Sequence, residues 1–490
     1  MFLILSILFP SFLASIFCIS TPKKYYNKIY SFGILCAFLT AVITIYATYV
    51  IFAENTVLYI KIGNIFGNAI IDFKTSGRSM LFCSMIAILY PLSLLYAIAY
   101  ARVNDLENRR IFFCFFHLSI MSGLAFGLSA NLLTMFIFYE MITLSTYPLV
   151  AHNRDAEAKK SARIYLTYLI ASSSLLFLPA ILIIQAIVGN TNFVYGGILA
   201  GHKISINSIN ILFAMMIFGI AKAAIFPVHN WLPNAMTAPT PVSSILHAVV
   251  VVKSGLFAII SVIYFIFGAQ FLRQSIFTFY GENWLTILSV VTIFIMSIVA
   301  IFQDNIKKRL AYSTIAQLSY AILAASMFSG SAMKVALLLM IAHAFAKIIL
   351  FFGAGIIYSY FNKTNLSQIY GIGKDIPVFM IAMCVACVSL IGLPITIGFM
   401  AKYQLLSMII KYQNLAIIIT IIVSTLLSVS YCFPIVYNTM FAKNHNIIHI
   451  RSDINKNDDI IFTTVMIICT LIVIMLFFAT NFIDKLINII

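Results

Sequence analysis

Fourteen apolar stretches follow one another along this chain, at 1–19, 29–52, 80–100, 111–129, 131–151, 164–188, 208–227, 241–265, 284–302, 311–328, 333–358, 377–400, 415–440 and 460–482. A helix needs about 20 apolar residues to cross the hydrocarbon core of a bilayer. Nothing else in the sequence constrains the fold as strongly. With 62% of residues hydrophobic and 9% charged, the chain cannot cover itself with polar surface; a soluble domain carries about 25% charged residues. The expected fold is an all-α polytopic membrane protein of about 14 transmembrane helices. The seventh and twelfth stretches carry Pro227 and the pair Gly392 and Pro394 at or near their ends. Such residues break a helix and free backbone groups that protein or water must then satisfy.

Charge checks the count. Of the 30 Lys and Arg, 18 fall in odd-numbered loops, 8 fall in even-numbered loops and the C-terminus, and 4 lie inside spans. Positive charge collects on the cytoplasmic side, so odd loops are expected inside and both termini outside. One miscounted span would erase the asymmetry. The net charge of +16 is therefore spent on orientation, and without basic runs set beside stacking aromatics it does not point to nucleic acid.

The exceptions carry the chemistry. Lys222, Lys253, Lys347 and Lys402 lie within spans, as does one acid, Glu140. A charge at mid-membrane costs about 2.5–3.5 kcal/mol on insertion scales. His229, His247 and His343 accompany them, with His343 and Lys347 four apart on one helix face. Lysine responds to desolvation and to a nearby carboxylate, and histidine titrates nearest neutral pH. A line of such groups is a proton relay. Bland readings stand beside it. Lys402, near a segment end, could snorkel to the interface, Lys347 could bind a carbonyl, and His229 beside Trp231 could cap a broken helix. His117, without a charged neighbour, is read as a packed histidine.

Other signals are weak. Cys384 and Cys387 form a CxxC inside an apolar stretch and read as small buried hydrophobes. GIGKDI at 371–376 has the wrong spacing for a dinucleotide loop. No cofactor and no metal site are expected. The first stretch lacks a basic start and reads as a span.

Lys222 followed by FPVHNWLPNAMTAPTPVS, FYEMITLSTYPLV around Glu140, NIKKRLAYSTIAQLSY at 305–320, HAFAKIILFFGAG at 343–355 and GLPITIGFMAKY at 392–403 resemble one family. It comprises the antiporter-like membrane subunits of respiratory complex I (M-, N- and L-type), membrane-bound hydrogenases and Mrp-type multisubunit cation/proton antiporters. The matches run in family order over most of the chain. PTPVSSILHAVVVVKSG, Lys402 and the length resemble the Mrp D-type branch most.

The resemblance implies two inverted five-helix repeats, with helices 7 and 12 broken. The implied boundaries are 1–110 for helices 1–3, 111–283 for helices 4–8, 284–440 for helices 9–13, and 441–490 for a cytoplasmic loop and the final helix. Glu140 matches the family's fifth-helix glutamate, Lys222 its seventh-helix lysine, Lys253 the eighth-helix lysine and Lys402 the twelfth-helix lysine. His247 matches a histidine of some members. Lys307 matches the lysine at the start of the AYS motif, which would move it inward from the membrane edge. The family often has an aspartate where this chain has Asn305, and neighbouring Asp304 is the candidate substitute.

The implied function is proton conduction as one subunit of a Na+ or K+/proton antiporter. The alternative is an M- or N-type proton-pumping subunit of NADH:quinone oxidoreductase (complex I) or of a related membrane hydrogenase. Either places the chain in a bacterial-type inner membrane among other membrane subunits, with quinone reduction only a property of the larger complex. The expected path runs from Lys222 through Lys253, with His247 or waters, to Lys402, while Glu140 biases Lys222 through an ion pair. A pure scaffold would instead tolerate alanine at these positions. The loops at 53–79 and 441–458 are candidate partner contacts.

Overall fold

Backbone donors and acceptors in hydrocarbon must be satisfied within the chain, which favours helices. The computed structural model describes residues 2–66, 69–279, 281–411, 414–442, 451 and 454–489; most of the 441–458 loop lies outside them. Fourteen helical passages correspond one to one with the fourteen apolar stretches. They are α1 (Phe2–Ser20), α2 (Tyr26–Glu54), α3 (Gly77–Val103), α4 (Arg109–Leu128), α5 (Leu132–Val150), α6 (Ala156–Val188), α7 (Ile206–Gly219), α8 (Thr240–Phe267), α9 (Trp284–Ile301), α10 (Ile306–Ala325), α11 (Gly330–Phe361), α12 (Pro377–Ile391 and Ile397–Lys411), α13 (Leu415–Met440) and α14 (Lys456–Phe478). Eleven are long and apolar enough to cross a membrane. The other three are α7 and α12, which are interrupted, and α10, whose first turn is basic. The protein is a multi-pass membrane protein. A short helix α15 (Thr480–Ile487) follows.

Helix ends depart from the apolar limits because caps, not hydropathy, set them. The Asn305 side chain accepts from Lys308 N at 3.1 Å and starts α10 at Ile306, five residues before the apolar run. Lys307, Lys308 and Arg309, expected in a loop, therefore lie in its first turn. The Arg309 guanidinium donates to the Ile301 and Gln303 carbonyls, both at 2.8 Å. It thereby satisfies the C-terminal end of α9. Asp155 likewise starts α6 at Ala156, ahead of the expected 164.

Two small antiparallel hairpins add to the helical plan: β1 (Tyr59–Phe66) with β2 (Ala69–Lys74), and β3 (Thr278–Phe279) with β4 (Glu282–Asn283). Both lie in even-numbered loops and so on one face. The first is tied down by Asp72, whose carboxylate accepts from Tyr59 Oη and Asn131 Nδ2.

Packing places α8 and α11 at the centre, since their apolar windows are wholly buried, whereas those of α13 and α14 are 39% and 28% buried. Helix pairings of one half recur in the other. The contacts α4–α5, α5–α6, α6–α7 and α8–α4 are matched by α9–α10, α10–α11, α11–α12 and α13–α9.

Where α7 stops, a tight turn Ala221–Ala223 packs directly on α8 at Gly255. A Cβ at Gly255 would lie 2.2 Å from Ala223 N and 2.4 Å from the Lys222 carbonyl carbon. Both atoms are backbone and cannot swing aside. Gly255→Ala is expected to destabilise the protein by about 1–3 kcal/mol by overpacking, which a thermal melt of the purified protein would measure. A wild-type melt would mean that the turn yields freely.

Candidate functional site

Lys222 is fully buried in the turn that interrupts α7. The break leaves carbonyls without helical partners, and Trp231 serves one of them, its indole Nε1 donating to Ala221 O at 2.9 Å. Tyr139 of α5 holds Lys222 in three ways. Its hydroxyl accepts from Lys222 N at 3.1 Å, its carbonyl accepts from Nζ, and its ring lies 3.3 Å from Nζ. The expected Glu140–Lys222 ion pair is absent among the described residues. Glu140 is the next residue on α5, and its Oε1 is buried without a partner. The helix turns consecutive side chains about 100° apart, so only one can meet Nζ from this rotation, and here Tyr139 does.

The centre is a contact between the two enclosed helices. Lys253 Nζ of α8 hydrogen-bonds His343 Nδ1 of α11, and both residues are buried. The expected path set His247 beside Lys253, and helical spacing set His343 beside Lys347; the structure regroups them. His247 sits in a widened helical turn, Ile245–Val249. Its ring lies 4.7 Å from that of Phe351, and neither of its nitrogens has a partner. Such a turn changes the angular register by about one residue, which the expected path through His247 did not include. Lys347 donates to Leu310 O at 2.9 Å and to Ser313 Oγ, and so is anchored to α10.

The break in α12 falls at 392–396, inside the span rather than at its end, with Gly392 at φ +88°. Lys402 in the second half is 8% exposed and donates to Ile391 O at 3.0 Å. It caps the C-terminal end of the first half, where a cation is favoured. Snorkelling to the interface is thus excluded for this lysine.

His343 and Lys402 line one cavity with Gln317, Ser389 and Gly398. Its volume of about 10 Å³ is close to what a single water needs. Two polar atoms at the cavity, His343 Nε2 and Ser389 Oγ, have no protein partner. From Gln317, hydrogen bonds continue to Tyr431 Oη at 2.9 Å and Ser428 Oγ at 3.3 Å. Nearby, Tyr320 donates to Ser424 Oγ and lies under Lys402 at 4.8 Å. The sequence reading missed this chain because its members are uncharged. The signal was there: Ser424, Ser428 and Tyr431 recur at helical spacing on one face of α13.

The outlying candidates separate. Lys307 donates to Ala238 O at 2.7 Å and lines a cavity of about 270 Å³ with Tyr100, Asn153, Thr240 and Tyr358. Its Nζ thus sits in a pocket at the start of α8. The Asp304 carboxylate accepts from Ser367 N and Oγ, at 3.0 and 2.8 Å, and forms no ion pair among the described residues. His229 stacks on Phe226 at 5.6 Å, and its Nδ1 is unpartnered among the described residues. His117 is packed, its Nδ1 2.6 Å from Tyr90 Oη. Among the described residues no group of His, Cys, Asp or Glu has the arrangement of a metal site.

Comparison with known proteins adds three findings. The profile of a family described as NADH:quinone oxidoreductase/Mrp antiporter, TM, matches residues 129–428. The chloroplastic NAD(P)H-quinone oxidoreductase subunit 5 of Dampiera diversifolia is 32% identical over 312 residues, covering 60% of this chain and 40% of that protein. That of Carthamus tinctorius is 31% identical over the same shares. The chain thus spans less than half the length of these curated relatives. Among solved structures, a chain of the membrane-bound sulfane sulfur reductase, an archaeal respiratory membrane complex, superposes with a TM-score of 0.84 at 21% identity. That match covers 99% of this chain and 96% of that one. A chain of the Mrp complex from Dietzia sp. DQ12-45-1b gives 0.80 at 17% identity, with the same coverage. At these identities the likeness is one of fold.

Proposed function

Because the chain belongs to the NADH:quinone oxidoreductase/Mrp antiporter transmembrane family, we propose that it conducts protons as one membrane subunit of a multisubunit Na+ or K+/proton antiporter. The observation that carries this reading is the line Lys253–His343–cavity–Lys402 across α8, α11 and α12. A proton on Lys253 Nζ passes to His343 Nδ1. The imidazole releases a proton from Nε2 to a water in the cavity, and that water passes one to Lys402. This leaves the ring as its Nδ1–H tautomer, and a ring flip or proton exchange with the cavity water must restore a bare Nδ1 before Lys253 delivers the next proton. Lys222 feeds this line from the broken α7, whose turn packs on α8 two residues from Lys253. Glu140 favours the charged form of Lys222 when its carboxylate comes near. The pocket at Lys307 is the access from the odd-loop side. That side is the cytoplasm and both termini are outside, in a bacterial-type inner membrane. The units are helices 1–3 (1–110), two inverted repeats (111–283 and 284–440) and a final segment (441–490).

The curated relatives, NAD(P)H-quinone oxidoreductase subunits, support a second reading in which the same lysines serve a redox-driven pump. Purification from the native membrane in mild detergent separates the two. Small hydrophobic subunits without flavin or iron–sulfur proteins are expected, followed by proton flux in vesicles that depends on sodium or potassium. Co-purifying flavin and iron–sulfur proteins would transfer the chain to the redox pump.

A further inference from the structure

A second cluster of buried charge lies away from the relay, on the face that carries the two hairpins. Arg78, in the first turn of α3, is 7% exposed. It lines a cavity of about 190 Å³ with Lys74, Ser76, Ser129, Phe193, Tyr195 and Phe265. Among the described residues neither Lys74 nor Arg78 pairs with a carboxylate. The nearest acid in sequence, Asp72, is held by Tyr59 and Asn131.

A guanidinium has five N–H donors in its plane and none on its faces. Aromatic rings serve the faces here, with the guanidinium carbon 3.8 Å from the Phe265 ring centre and 4.8 Å from that of Phe193. Those contacts offset part of the cost of burying the charge. They do nothing for the edge. Ser261 accepts from one terminal nitrogen, and Nε has no partner among the described residues. An in-plane donor left unpaired beside a second cation in a cavity calls for an oxygen-bearing anion; the Ser76 and Ser129 hydroxyls there already donate, to Ser79 Oγ at 3.2 Å and to Ala125 O at 3.0 Å.

We propose that this cavity binds a phosphate-type oxyanion through Arg78 and Lys74. The anion comes either from a phospholipid headgroup or from solution. The rim is amphipathic: Val194 is 52% and Tyr195 46% exposed, which suits the membrane interface. The bound anion bridges the start of α3, the 129–130 turn, the 193–195 segment and the end of α8. Ser261 is eight residues from Lys253 on α8, about 12 Å of helix, so the anion lies at one end of the helix that carries the relay. The site itself does not depend on the transport reading.

The test uses the full-length protein with its associated subunits in mild detergent. Thermal melts are followed against inorganic phosphate, phosphatidylglycerol, and diacylglycerol of the same acyl chains. Wild type is expected to be stabilised by phosphatidylglycerol and not by diacylglycerol. In Arg78→Gln the half-saturating concentration should rise at least about tenfold, as for the loss of one charge-assisted hydrogen bond. Stabilisation by inorganic phosphate as well assigns the site to a soluble anion; stabilisation by the lipid alone assigns it to the headgroup. Should Arg78→Gln fail to fold, Lys74→Gln must show the same loss. Equal stabilisation of wild type and variant, stabilisation by diacylglycerol, or none at all overturns the proposal.

Discussion

Lys222→Ala is expected to lower proton translocation about a hundredfold or more, the usual cost of removing an essential proton-transfer group, while the protein still inserts at wild-type level. Insertion should not suffer because the substitution removes a buried charge rather than adding one. Lys222 is fully enclosed and held by Tyr139 through a backbone bond, a side-chain bond and a ring face. That arrangement fixes a cation in place; the carboxylate beside it, Glu140, has Oε1 unpartnered. Lys222→Arg discriminates further. It keeps the positive charge and the reach to the Tyr139 carbonyl, but a guanidinium does not release its proton in proteins. If the residue only balances charge, Lys222→Arg transports; if it hands on protons, the variant is as inactive as alanine. Proton flux in vesicles, with expression checked in the same membranes, reads both. Normal flux through Lys222→Ala would sink the relay.

What could be read from the sequence depended on whether a residue's type or its rotation carried the information. The fourteen passages were legible because hydrocarbon thickness dictates apolar length, and the buried charges stood out because a lysine in a span is costly wherever it points. The break in α12 was legible from Gly392 and Pro394, although it lies inside its span; that in α7 was misplaced, since the helix stops at Gly219, eight residues before Pro227. Helix starts were less so: Asn305 and Asp155 extend α10 and α6 beyond their apolar runs through single cap bonds. Partnerships were the least legible. Tyr139 rather than Glu140 meets Lys222 because of helix rotation, and the widened turn at Ile245–Val249 turns His247 away from Lys253 onto Phe351. Gln317, Ser428 and Tyr431 were invisible as a path because uncharged polar residues in a span look like core.

His343→Ala is expected to lower proton flux about as far as Lys253→Ala, roughly a hundredfold in each case. The double variant should be no worse than either, because two links of one series fail only once. His247→Ala is expected to keep most of the flux. The pairing in the structure decides between the two histidines: His343 hydrogen-bonds Lys253 on one side and shares a cavity with Lys402 on the other, whereas neither nitrogen of His247 has a hydrogen-bond partner among the described residues. A second measurement guards against collapse of the buried site. His343→Gln keeps a side chain of similar length that can accept from Lys253, but it cannot take up and release a proton near neutral pH. It should therefore fold with a near-normal melting temperature and still fail to conduct. Conduction by His343→Gln would show that the histidine only positions Lys253. Loss of flux in His247→Ala, with His343→Ala unimpaired, would return the path to the route that sequence spacing alone suggests.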